Sequence, residues 1–160
     1  MNRIERFFNI EEVNAHCDIP CGIYDPITAQ IAALTTVRMI DLMKDTLEGD
    51  LADMDKKNKF ARLVNIKEEH AEKTKHEIRV IWGDFFKAGH FEKYPNLHDL
   101  THEIMILGSK VKQGTDREKA VELVEKVNEF AKIFWEIKGE ETVEAEAPYA
   151  PKLKMVYRKI

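Results

Sequence analysis

The sequence predicts an all-α protein, an antiparallel four-helix bundle preceded by a compact cysteine-bearing segment. Three observations carry that expectation. Apolar residues recur at helical spacing in four long stretches, the later stretches are joined by short connections, and the chain has a length that suits one domain with its own core, 160 residues.

Asp25-Pro26 is a helix start signal, a capping side chain followed by proline in the first turn. Ile27, Ile31, Leu34, Val37, Ile40 and Leu47 then recur with helical period until Glu48-Gly49 ends the run. A second helix is expected over 55–87, with Phe60, Leu63, Val64, Ala71, Ile78, Ile81, Trp82 and Phe85 facing inward. Its length for a globular domain predicts a kink or break near its start. Ala88-Gly89 and Tyr94-Pro95-Asn96 punctuate the next connection, and Asn96 is placed to cap a third helix striped by Leu97, Leu100, Ile104, Leu107 and Val111. After Gln113-Gly114, Thr115-Asp116-Arg117-Glu118 has the form of a capping box. Val121, Val124, Val127, Ala131, Phe134 and Trp135 carry the fourth helix to Gly139. Beyond it an acidic stretch with Pro148 and Pro151 gives way to basic and apolar residues, read as an extended tail over 140–160 that packs on the body or on another subunit.

Composition narrows the function. The net charge is −4, with 25 Lys and Arg against 29 Asp and Glu, so no global basic field exists for nucleic acid. No apolar run approaches membrane-spanning length. Two cysteines do not make a disulfide scaffold. Residues 1–15 do not read as a secretory signal, because Arg3, Glu5, Arg6, Glu11 and Glu12 interrupt every apolar stretch. They fit either a short amphipathic helix using Ile4, Phe7, Phe8 and Ile10, or a removable leader ending in Asn14-Ala15.

The chemistry concentrates in His16-Cys17-Asp18-Ile19-Pro20-Cys21-Gly22-Ile23-Tyr24-Asp25-Pro26. Two thiolate donors and an imidazole stand within a few positions, and soft sulfur with nitrogen suits late transition metals. The spacing by itself leaves three readings open: a metal site, a small disulfide loop, or two buried thiols. A structural zinc site would need four donors, and no second Cys-x-x-Cys or paired histidine motif follows. Ferritin-like di-metal sites need Glu-x-x-His, which is absent; Asp99 and His102 come nearest, and the His98/His102 pair reads better as a solvated or hydrogen-bonded pair. There is no glycine-rich phosphate loop and no serine elbow.

The segment from His16 to Pro26 resembles the nickel hook of the nickel superoxide dismutases. Three further blocks are similar and occur in the right order: Ile66-Lys67-Glu68-Glu69; Trp82-Gly83-Asp84-Phe85-Phe86-Lys87 with His90-Phe91-Glu92-Lys93-Tyr94-Pro95-Asn96-Leu97-His98; and Ile133-Phe134-Trp135-Glu136. The similarity spans 16–138. It implies a removable leader over 1–15, an N-terminal metal-binding hook over 16–24, a bundle over 25–139, and assembly into a cytoplasmic homohexamer. A protease cutting between Ala15 and His16 would free an amine that serves as a ligand.

By the same resemblance, Cys17 would give its thiolate and backbone nitrogen and Cys21 its thiolate to a square-planar Ni(II), with the His16 imidazole axial in the Ni(III) state. One nickel ion per subunit would disproportionate superoxide to dioxygen and hydrogen peroxide. Anionic sulfur and amidate nitrogen stabilise the higher oxidation state, at the risk of sulfur oxidation by the product. Asp18 and Tyr24 match residues that organise the hook and limit access to the metal, a cis bond is implied before Pro20, and Lys87 matches a lysine near the site. Ala32 and His70 stand where well-known members carry glutamate and arginine, and Phe85 where some carry tyrosine, so the partners that orient His16 are altered. The contrasting expectation is a non-enzymatic helical metal-binding or thiol redox-sensing protein using Cys17 and Cys21 as a switchable pair.

Overall fold

A computed structural model describes residues 22–48 and 53–159. In chain order they form α1 (Ile27–Leu47), α2 (Met54–Val80) running into a π-helical turn (Ile81–Phe85), α3 (Ala88–Lys93), α4 (Leu97–Gln113), α5 (Arg117–Ile137), β1 (Thr142–Glu146) and β2 (Lys154–Arg158). Helix α1 packs against α2 and α5, and α4 packs against the same two. The four long helices thereby enclose one core, the bundle that the periodicity predicts.

The Asp25 carboxylate accepts from the Ile27 N–H at 2.8 Å, which satisfies a donor orphaned at the start of α1. Ala29, Ala33, Leu34, Val37 and Ile40 are buried, while Ile31 and Leu47 of the expected stripe are exposed. Helix α2 holds its α geometry through Val80 and departs from it at its end, in the π turn, rather than near its start. Asp116, not Thr115, caps α5, accepting from the N–H groups of Glu118 at 2.9 Å and Lys119 at 3.2 Å. Asn96 stands at the start of α4 without a side-chain capping bond. All five apolar residues of the predicted α4 stripe are buried.

Among the described residues that are buried outside the expected core, Lys67 is the charged one. Lys67 lies in the inward row Leu63–Lys67–Ala71 and is 2 % exposed. Its ammonium donates to the carbonyls of Val111 at 2.8 Å, Lys112 at 2.6 Å and Gly114 at 2.7 Å. These are acceptors that the C-terminus of α4 leaves without helical partners, and a cation there also meets the negative end of the helix dipole. Burial pushes the Lys67 pKa down, with the neighbouring Glu68 acting in the opposite sense.

Past α5 the chain does more than extend. Helix α5 ends in a Schellman turn, with Gly139 at φ 76° donating to the Glu136 carbonyl and Glu140 to the Trp135 carbonyl. β1 and β2 then pair antiparallel, Ala145 opposite Met155 and Glu144 opposite Val156. Met155, Val156 and Ala147 are buried against the helices. A buried amide bracket fastens the hairpin: Gln30 Nε2 donates to the Val156 carbonyl and to Asn128 Oδ1, both at 2.9 Å, and Asn128 donates to the Lys154 carbonyl at 2.8 Å. No helix among the described residues is long and apolar enough to cross a membrane.

Candidate metal centre

The expected ligands His16, Cys17 and Cys21, together with Asp18, the bond before Pro20 and the leader, lie outside the described residues. Tyr24 is described, just ahead of α1. It is half-buried at the mouth of α1, with its ring 6.1 Å from that of Phe85.

Phe85 reaches Tyr24 through the π turn. A wider turn is one way a helix re-aims a side chain. Here Phe85 packs on Phe134 of α5 at 4.6 Å, while the next residue, Phe86, is buried against Phe130 at 5.4 Å. Phe86 is already extended, so both adjacent rings can turn into the body. His90 supports them. It stacks on Phe85 at 5.8 Å, and its Nδ1 accepts from the Lys87 N–H at 3.1 Å, which fastens the first turn of α3. The punctuation of this stretch predicts a connection, whereas the structure forms α3 there; the spacing from Lys87 to His90 is the signal for it.

A second aromatic group flanks the first. His98 stacks on Phe91 at 4.0 Å and accepts at Nδ1 from the indole N–H of Trp82 at 3.2 Å. An indole N–H can only donate, so Nδ1 of His98 is the acceptor in this contact. His102 is exposed, while His98 is engaged with Trp82 and Phe91. Among the described residues no three His, Cys, Asp or Glu side chains are grouped to hold a metal.

Ala32 is buried in α1, and His70 Nδ1 bonds back to the Ile66 carbonyl at 2.9 Å within α2. Lys87 is exposed and folds back to donate to the Asp84 carbonyl at 2.8 Å. Lys138, which no sequence motif marks, lies with its ammonium 5.8 Å from the Phe85 ring and 5.5 Å from the Phe134 ring.

A helical bundle whose first helix opens beside a Tyr-Phe-Phe cluster, with a His/Cys/Cys segment just ahead of it in the sequence, fits the class of small metalloproteins. The comparisons narrow the class. The family model for nickel-containing superoxide dismutase matches residues 11–138, which takes in His16, Cys17 and Cys21. The superoxide dismutase [Ni] of Streptomyces seoulensis is 38 % identical over 127 residues, covering 79 % of this chain and 91 % of that protein. The superoxide dismutase [Ni] of Streptomyces coelicolor is 37 % identical over 126 residues, covering 79 % and 90 %. A crystal structure of a Ni-containing superoxide dismutase in its oxidised ligation state overlays with a TM-score of 0.67 at 37 % identity, covering 78 % of this chain and 99 % of that one. A native structure of nickel superoxide dismutase gives the same TM-score at 36 % identity, covering 77 % and 99 %. The chain belongs to the nickel-containing superoxide dismutase family.

Proposed function

We propose that this chain disproportionates superoxide, two superoxide ions and two protons giving dioxygen and hydrogen peroxide, at one nickel ion held by His16, Cys17 and Cys21. The observation that carries this is the family match over 11–138, which covers the donor segment as well as the bundle. The donor chemistry fits the ion: two thiolates and nitrogen ligands suit a late transition metal. Nickel held there would supply one-electron exchange between its Ni(II) and Ni(III) states.

The chain's own residues supply the rest. Cleavage between Ala15 and His16 turns an amide nitrogen, whose lone pair is delocalised, into an amine able to act as a ligand. Residues 1–15 thus guard the site until a leader-cleaving protease removes them, and residues 16–24 form the hook. Residues 25–139 form the bundle and 140–160 the tail. Tyr24, held by Phe85, restricts what reaches the open face of the metal, and Asp18 organises the hook. A cytoplasmic setting keeps Cys17 and Cys21 reduced until the metal is bound, and a homohexamer completes the reading.

The test compares the full-length chain with a form beginning at His16, each loaded with nickel, by metal quantification and superoxide decay. One nickel per chain with rapid dismutation only in the His16 form is expected. Equal activity in the full-length chain would overturn the role of the leader. Zinc or no metal, with a reversible Cys17–Cys21 disulfide, would overturn the enzyme in favour of a thiol sensor.

A further inference from the structure

We propose that the tail hairpin and the first turn of α1 form a docking pocket for the leader, residues 1–15, an inference that rests on the reading of those residues as a removable segment. The family match ends at residue 138, so β1 and β2 lie wholly beyond it. Their place on the bundle gives them a use. A cavity of about 360 Å³ opens between β2 and the start of α1. Ile27 of α1, Trp135 of α5 and Tyr157 of β2 line it with apolar surface, and Asp25 and Arg158 stand at it with opposite charges.

The strand edge beside this cavity is open at one end. The Lys159 N–H donates to the Glu141 carbonyl at 2.8 Å and the Ala147 N–H to the Leu153 carbonyl at 2.9 Å. In that register the odd-numbered residues of β2 carry the ladder, and Lys154, Val156 and Arg158 turn their backbone outward. Asn128 and Gln30 take up the edge at Lys154 and Val156. Among the described residues nothing takes it up at Arg158, which continues the same edge into the cavity wall. An N–H and a carbonyl left there suit pairing with an extended segment.

Reach and chemistry name the occupant. Gly22 is the first described residue, three positions before Asp25, and only residues 16–21 separate it from Ala15. The leader therefore ends within about 25 Å of Gly22 even at full extension. It carries Ile4, Phe7, Phe8 and Ile10 for the apolar walls, Arg3 and Arg6 for Asp25, and Glu11 and Glu12 for Arg158, whose described partner is the exposed Glu140 at 3.4 Å. A segment tethered this closely meets the pocket at an effective concentration of about millimolar, so weak contacts hold it. Cutting after Ala15 destroys the tether, and the same weak contacts then let the leader go.

Amide hydrogen exchange compares the full-length chain with the form beginning at His16, both without added metal. Exchange over Lys154–Arg158 is expected to be about five- to tenfold slower in the full-length chain, with α4 unchanged. Replacing Phe7→Ser and Phe8→Ser together alters no described residue of the bundle and should return those rates to the values of the His16 form. Arg158→Glu should give an intermediate loss of protection. Trypsin cleavage after Arg6 should be slowed by a similar factor in the parent relative to the leader variant. Equal exchange over Lys154–Arg158 in the full-length and His16 forms, or protection that survives the two leader substitutions, would overturn the proposal. Protection in the His16 form that grows with protein concentration would assign the pocket to a second copy of the chain and overturn it as well. Full dismutase activity in the uncleaved chain would instead overturn the leader's role at the metal, and it leaves these exchange rates untouched.

Discussion

Two lysines at opposite ends of the bundle show how the same side chain takes opposite roles. Lys67 is sealed at the C-terminal end of α4, where three backbone carbonyls accept from it and nothing of its charge faces solvent. Lys138 is exposed at the end of α5, against two rings that offer no oxygen acceptor. Burial with acceptors makes the first a structural clasp. Exposure over an aromatic face leaves the second with a charge that another anion can feel.

The largest expected effect breaks that contrast most directly. Lys67→Met keeps much of the volume but leaves the Val111, Lys112 and Gly114 carbonyls without their donor, and is expected to destabilise the protein by about 3 kcal/mol. Lys138→Met should change stability by less than about 1 kcal/mol. Guanidinium denaturation of both variants gives the comparison. Similar costs at the two positions would mean that the ring contacts of Lys138 hold the fold as much as the carbonyl cage of Lys67 does.

The legibility of these positions follows their physics. The four long helices were readable because Leu97, Leu100, Ile104, Leu107 and Val111, and the corresponding rows on α1 and α5, repeat with the period of a buried helix face. Lys67 was not, because its acceptors lie some forty residues away at the end of α4, and a lysine in an apolar row reads as an interruption. The π turn escaped for a related reason: Phe85 suits an ordinary inward position, and only its packing with Tyr24 and Phe134 shows that the helix had to re-aim it. The hairpin carries little alternation on β1, where four of five residues are exposed, so its pairing depends on the bracket from Gln30 and Asn128 on two separate helices. Of the expected site, Tyr24 is placed beside the π turn. His16, Cys17, Asp18 and Cys21 stand out in the sequence through their chemistry and their resemblance to a known hook rather than through any periodicity, and they lie outside the described residues.

A smaller effect sharpens what closes the Lys138 end. There the hairpin is fastened by neutral amides rather than by a buried cation. Asn128→Ala removes the donor to the Lys154 carbonyl and the acceptor shared by Gln30 and the Val156 N–H. A loss of about 1–2 kcal/mol is expected. It should be accompanied by faster hydrogen exchange over Lys154–Arg158 while α4 keeps its protection. Uniform loss of protection across the bundle would show that the hairpin is part of the global folding unit.

The smallest effect lies on the α2–α4 side, where charge is exposed rather than buried. Glu72 accepts from Arg79 at 3.1 Å and from Lys112 at 3.4 Å, with Lys75 at 3.8 Å, and the Arg79 bond is the leading cause of a pKa held below the ordinary glutamate value of 4.5. A carboxylate with a depressed folded-state pKa binds fewer protons folded than unfolded, so its contribution is complete above about pH 4.5 and is lost as pH falls through the lower folded value. Because these groups are nearly half exposed, the contribution stays below about 1 kcal/mol and shrinks with salt. Glu72→Gln should therefore lie slightly below the parent in stability at pH 7 and converge with it in acid. Melting temperatures from pH 7 down to pH 3 at low ionic strength measure that convergence. A constant difference across the range would assign the effect of Glu72 to packing along α2, with Lys67 and Lys75 as the α2 cations whose bonds reach α4.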